Sequence, residues 1–270
     1  MNKIEEVFNS LNEFQVDTSD LSKSSKTIKL HYYKIFRDLL SEFKQFRLKK
    51  DSHLYRVRKN EGDKLFMYPD ELSHPPANKT KLGRVNLPSR PVFYCSDKLS
   101  TSILELKPVE NEYITVAESI LSEELLLAVI GDLNRYKTEG KQSAELKLFY
   151  EKITPIITKL INKDADYLFT AELADLIFTD TKFKGIIYPS YYSNTKADNF
   201  ALLAKGLDQK LALAKVTVMK ITERKNEHNV TVKCIASSDQ IDPEGQFIWK
   251  KVESCNSHSI NFDNELIHAT

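Results

Sequence analysis

Residues 83–106 read GRVNLPSRPVFYCSDKLSTSILEL, and this stretch decides how the rest of the chain is organised. A glycine followed by arginine marks a turn, and the apolar run VFYC between a proline and a serine marks a strand. Beyond Asp97, a candidate N-cap, Leu99, Ile103 and Leu106 recur at i, i+4 and i+7, which predicts a short helix stopped by Pro108. Glu105 falls off that apolar stripe. Turn, strand and helix in this order put an arginine (Arg84), a tyrosine (Tyr94) and an acid (Glu105) on three different elements.

Working outward, residues 1–50 show apolar positions at helical spacing, Ile4, Val7, Phe8, Leu11 and Phe14, then Tyr32, Ile35, Phe36, Leu39, Leu40 and Phe43. The polar DTSDLSKSSK between them predicts a helical pair that packs on the body of the protein, pairs with a second copy or docks a partner. HLYRVR alternates as a strand, and a loop rich in Pro and Asn follows. Residues 143–162 and 164–178 have helical period, with Pro155 expected to kink or break the first. KGIIYPS reads as a buried strand, followed by NFALLAK and the alternating KVTVMKIT, VTVKCIAS and QFIWKKV, with turns at KNEHN and DPEG. Helices with mainly antiparallel strands give an α+β class rather than βαβ alternation. The expected organisation is an N-terminal helical extension, 1–50, and a body, 51–270, with no internal repeat and no linker between domains.

Bulk properties exclude several function classes. Lys+Arg 39 against Asp+Glu 38 leaves a net charge of +1, without the excess of positive charge that attracts nucleic acid. No run of residues has the length and apolarity of a membrane span, and the acidic, amphipathic N-terminus is unlike a secretory signal, so a cytoplasmic location is expected. Cys95, Cys234 and Cys255 are odd in number and lack CxxC spacing, which predicts reduced thiols, with no disulfide framework and no zinc site. With seven glycines the chain has no GxGxxG, GxxxxGK[ST] or GxSxG, and its six histidines form no HExxH. Metal chemistry is not expected. The working groups of an enzyme would be arginine, tyrosine, glutamate and serine.

The arginines carry the next inference. Only eight occur against thirty-one lysines, and four of them, Arg56, Arg58, Arg84 and Arg90, lie within residues 56–90. A guanidinium offers a planar fork to phosphate or carboxylate and stays charged when partly buried. Arg56 and Arg58 on one strand face, about 7 Å apart, suit neighbouring phosphates. They equally suit an exposed edge strand with ordinary salt bridges. Arg90, beside Pro91, reads as structural.

With LYRVR, GRVN, VFYCS, the acid of ILEL and GIIYPSYYSNTKADNFALL together, the sequence resembles the RES domain family over roughly residues 53–205. Arg84 matches the arginine of the GRxN block, Tyr94 the tyrosine ten residues on, Glu105 the glutamate eleven further, Ser190 the serine of the YPS block and Arg56 the arginine of the opening strand. Val85 departs from the aromatic of many relatives, and the N-terminal helices and the long segment 107–165 exceed the compact toxins. The resemblance implies a fold like that of the diphtheria-toxin-type ADP-ribosyltransferases and NAD as substrate, destroyed by hydrolysis or phosphorolysis, with protein ADP-ribosylation as an alternative. It also implies a growth-inhibiting toxin or defence effector with an Xre-type antitoxin as partner; a homo-oligomer, or an inactive nucleotide-binding or protein-interaction module, stays open. On this reading Glu105 supports the ribose cation, and Tyr94 stacks on nicotinamide or fixes the ribose. Arg56, Arg84 and more weakly Arg58 hold the pyrophosphate, and Ser190 donates to a ribose or phosphate oxygen. Asn86 and Asn199 shape the surrounding loops, and Asn86 is also a candidate for binding NAD.

Overall fold

The computed structural model describes residues 2–131, 143–158, 167–192, 197–252 and 257–261. Its contacts divide the chain into two compact units. One comprises Met1–Leu48, Pro75–Val92 and Leu125–Pro189, the other Lys49–His74, Phe93–Glu124 and Ser190–Thr270. The class is α+β.

In the first unit α1 (Lys3–Glu13) begins where the Asn2 side chain accepts from the Ile4 N–H at 3.0 Å, and it buries Ile4, Val7, Phe8 and Leu11. The helix packs on α2 (Leu21–Leu39) and on α4 (Ala144–Thr158), and α2 packs on α5 (Leu168–Asp180). The rings of Phe8, Tyr32, Phe43, Phe149 and Tyr150 meet at tilted and edge-to-face angles, and all five are buried. Burying such a ring contributes about 2–3 kcal/mol, so this cluster anchors the N-terminal helices to the chain itself. Helix α5 is buried at every position from Thr170 to Ile177, which explains its lack of a polar face. Strand β1 (Gln45–Leu48) runs antiparallel to β5 (Leu125–Val129), and β5 runs parallel to β6 (Gly185–Pro189). Gly131, φ +98°, follows β5, and a Cβ there would strike Pro189 Cδ at 2.8 Å, so only glycine permits the approach.

Of the expected kink or break at Pro155, the break does not occur: α4 runs through it. Its ring removes the bond to the Glu151 carbonyl, but both residues lie on the exposed side, where that carbonyl is open to solvent. The remainder of the two expected helices, 159–162 and 164–166, lies outside the described residues, as does Cys255. Cys95 is a buried free thiol.

The second unit is built on an antiparallel sheet in the order β10-β9-β8-β4-β2, from β2 (His53–Lys59), β4 (Tyr113–Leu121), β8 (Leu211–Asn226), β9 (Asn229–Ser238) and β10 (Lys250–Lys251). Strand β11 (His258–Asn261) also pairs with β9. Beside these stand β3 (Val92–Cys95), paired with β7 (Asp198–Leu203), and α3 (Leu99–Glu105). Only Lys250–Lys251 of the expected strand QFIWKKV are in the sheet. Phe247 and Trp249 turn instead onto Leu72, Ala117 and Val216, and the Trp249 indole donates to the Phe66 carbonyl at 3.0 Å. Among the described residues no helix is long and apolar enough to cross a membrane.

Candidate active site

Helix α3 is short and rich in small hydroxyl residues. Ser100, Thr101 and Ser102 are buried with Ile103 and Leu104, and the Ser102 hydroxyl donates to the Tyr55 carbonyl of β2 at 2.7 Å. Small side chains let the helix lie close on the strand. Its cap position is Lys98, not the expected Asp97. The Lys98 N–H donates to the Ser96 hydroxyl at 3.2 Å, so the residue ending the strand also opens the helix. At the far end Lys107 takes φ +52°, its N–H returning to the Leu104 carbonyl at 3.0 Å, and Pro108 prevents continuation.

This places Glu105 as the last helical residue, half-buried. Its Oε1 accepts from the Ser190 hydroxyl at 2.5 Å and from Asn199 Nδ2 at 2.8 Å. Ser190 has no exposed surface, and its N–H donates to the Ala197 carbonyl at 2.9 Å. Asn199 is buried on β7, where the Ser96 hydroxyl holds the preceding carbonyl, Asp198, at 2.7 Å. Two side chains that lie 85 and 94 residues further along the chain therefore meet on one carboxylate oxygen. Tyr192 is close enough to feel it: burial, with the Glu105 charge second, pushes its phenol from 10.0 up to about 12. The Tyr192 carbonyl meets His228 Nδ1 at 2.8 Å, and the Lys107 ammonium stands 5.7 Å from its ring centre.

A second constellation forms on β2. Arg56 lies opposite Ala117 and Arg58 opposite Thr115 in the register, so both start from one face, as expected. They then diverge. Arg56 donates from Nη1 to the Tyr94 carbonyl at 3.1 Å, lies 5.3 Å from the Phe93 ring centre, and has a buried Nε without a hydrogen-bond partner among the described residues. Burial, helped by the Arg58 charge, pushes Arg56 from 12.5 down to about 10, which leaves it a cation at neutral pH. Arg58 is exposed, donates to the Glu71 carbonyl and lies 5.2 Å from the Phe66 ring centre. Tyr94 is half-buried on β3.

Arg84 and Asn86 belong to the first unit, in the four-residue turn closed by the Gly83 and Asn86 backbones. Arg84 donates to the Ile157 carbonyl and lies 5.5 Å from the Tyr167 ring centre, while its own carbonyl accepts from Thr170. The Asn86 amide donates to the Lys81 and Leu87 carbonyls at 2.8 and 3.0 Å, the loop-shaping use foreseen for it. Arg90, also in this unit, pairs with Asp175 at 3.7 Å.

Glu105 and Ser190 are thus brought together, with Asn199 and Tyr192 added. Tyr192 was not anticipated, although it stands two residues after the serine in the same quoted block. Among the described residues no group of His, Cys, Asp and Glu is arranged to hold a metal ion. A comparison with curated proteins yields no match. The family model described as RES domain matches residues 53–220, more than half of the chain and every residue of both constellations in the second unit except His228.

Proposed function

The chain belongs to the RES domain family, and from that membership we propose that it consumes NAD by cutting the bond between nicotinamide and ribose. The observation that carries this reading is the Glu105 carboxylate, with Oε1 taken by two donors and, among the described residues, no hydrogen bond to Oε2. Cleavage leaves an oxocarbenium-like ribose and releases a neutral base from a pyridinium cation. No acid is needed at the leaving group, unlike an ordinary glycoside, where a second carboxyl protonates the departing oxygen. One carboxylate suffices. Oε2 accepts a ribose hydroxyl, and the negative charge beside the anomeric carbon stabilises the cation as it develops.

The other groups have parts that suit this substrate. Arg56, a cation at neutral pH, binds the pyrophosphate through the guanidinium donor not committed to the Tyr94 carbonyl. Tyr94 offers an aromatic face to the nicotinamide end. Ser190 acts through Glu105, since its one hydroxyl proton goes there rather than to substrate.

The test is release of free nicotinamide from NAD by the purified full chain, separated chromatographically. Wild type is expected to release it and Glu105→Gln to lose a hundredfold or more in kcat, on the order of the loss of a charge-stabilising group. No release by wild type, or saturable NAD binding without product, overturns the enzyme reading. The same chromatogram reads the acceptor: free ADP-ribose means water, its phosphate ester means phosphate, and a labelled polypeptide means transfer to protein.

A further inference from the structure

We propose that Asn199 is a positioning residue of this site: with Ser190 it clamps Oε1 of Glu105 so that Oε2 alone is presented to the substrate's ribose hydroxyl. The proposal rests on the NAD-cleaving reading for its substrate and on geometry for its residue. The sequence treated Asn199 as a loop-shaping residue, yet its bonding differs from that of Asn86. Asn86 spends its amide on two nearby carbonyls, which is what holding a turn requires. Asn199 sits within a regular strand, is 7% exposed, and gives its amide to a side chain 94 residues away in sequence. The strand needs none of this, because its backbone is already paired to β3 and tied by Ser96.

Two donors on one oxygen do what one does not. A carboxylate held by Ser190 alone still turns about its terminal bond, exchanging Oε1 and Oε2 in front of the substrate. With Asn199 at 2.8 Å and Ser190 at 2.5 Å on the same atom, that turn breaks both bonds. Each is a hydrogen bond to a charged group and therefore among the stronger kind. With Oε1 filled as an acceptor by two donors, Oε2 is the oxygen left to face a ribose hydroxyl.

The experiment is steady-state NAD cleavage by the full chain carrying Asn199→Ala, alone and combined with Glu105→Gln. Asn199→Ala is expected to lower kcat by about ten- to a hundredfold, the factor a hydrogen bond to a charged group supports, with KM changed less than about threefold. In the Glu105→Gln background the same substitution is expected to cost nothing further, because its effect passes through that carboxylate. Equal losses in both backgrounds, or a loss carried by KM, overturn the proposal in favour of a merely structural role. Asn199→Asp keeps the volume and replaces Asn199→Ala if that variant does not fold, with the same loss expected. If wild type releases no nicotinamide, the NAD reading fails separately. Positioning is then read from the Glu105 carboxyl carbon resonance in glutamate-labelled protein, identified by its absence in Glu105→Gln. Asn199→Ala is expected to shift it, and an unmoved resonance overturns the clamp.

Discussion

On the proposed reading Arg56 has to satisfy two demands with one guanidinium. Nη1 is committed to the Tyr94 carbonyl, and whatever the group offers an anion comes from its remaining donors. A lysine at this position has a single ammonium and no fork, so Arg56→Lys is expected to raise KM for NAD about tenfold with a smaller effect on kcat, measured by initial rates. The pH dependence follows from the same burial. Arg56 is held near 10, below its ordinary 12.5, so it keeps its proton through the neutral range and loses it as pH rises through about 10. KM is therefore expected to be flat at neutral pH and to climb above about 10, whereas a fully solvated arginine would give no such rise. At this scale the sequence was informative about residue types: an acid off an apolar stripe, a serine after a proline and an arginine in a lysine-rich chain all point to chemistry. It gave Asn199 only a loop-shaping part and was silent about Tyr192. An asparagine after an aspartate reads as turn material, and nothing in local spacing reports that its partner lies 94 residues earlier.

Between elements, the contact of α2 with α5 encloses an acid. Glu172 has no exposed surface, Ser25 donates to its Oε1, and among the described residues its buried Oε2 has no partner, nor has the buried Tyr32 hydroxyl. Burial raises the Glu172 carboxyl above its ordinary 4.5, so the folded chain keeps this proton to higher pH than the unfolded chain. The cost of the buried charge is absent in acid, where both states are protonated, and appears as pH rises through the raised value. Glu172→Gln is accordingly expected to stabilise the fold at pH 7 by about 1 kcal/mol, the scale of one unsatisfied buried group, and to gain nothing at low pH. Thermal unfolding at the two pH values checks it. The amphipathic helices α1 and α2 were legible because one face is wet, which writes a 3.6-residue period into the chain. Strands β4 and β5 were not legible. Both are buried on nearly every residue, so no alternation marks them. The expected strand QFIWKKV failed for the opposite reason, since its apolar residues serve a local cluster rather than a sheet face.

For the whole molecule, three phenols and a thiol that titrate in alkali are buried neutral. Burial raises the phenols of Tyr32 and Tyr150 well above their ordinary 10.0, that of Tyr192 to about 12, and the Cys95 thiol above its ordinary 9.0. The unfolded chain releases these protons at the ordinary values while the folded chain retains them, so stability falls as pH rises from about 9. Unfolding temperature is expected to decline steadily over that range, with the three phenols ionising only as the fold is lost. Phenolate absorbance followed beside circular dichroism measures both. A gradual ionisation of all the tyrosines in folded protein contradicts it.

The division of the chain also sets an order in time. The chain passes between the two units five times, and the first holds its last residue at Pro189, while the second still lacks everything from Ser190 onward. As the protein leaves the ribosome, Glu105 emerges 85 residues before Ser190 and 94 before Asn199. A nascent chain therefore carries the acid for much of its synthesis without either donor. On the proposed reading, any product released before residue 199, by a nonsense codon or a stalled ribosome, lacks one or both donors to Glu105 and is expected to cleave NAD at least about ten- to a hundredfold more slowly than the full chain.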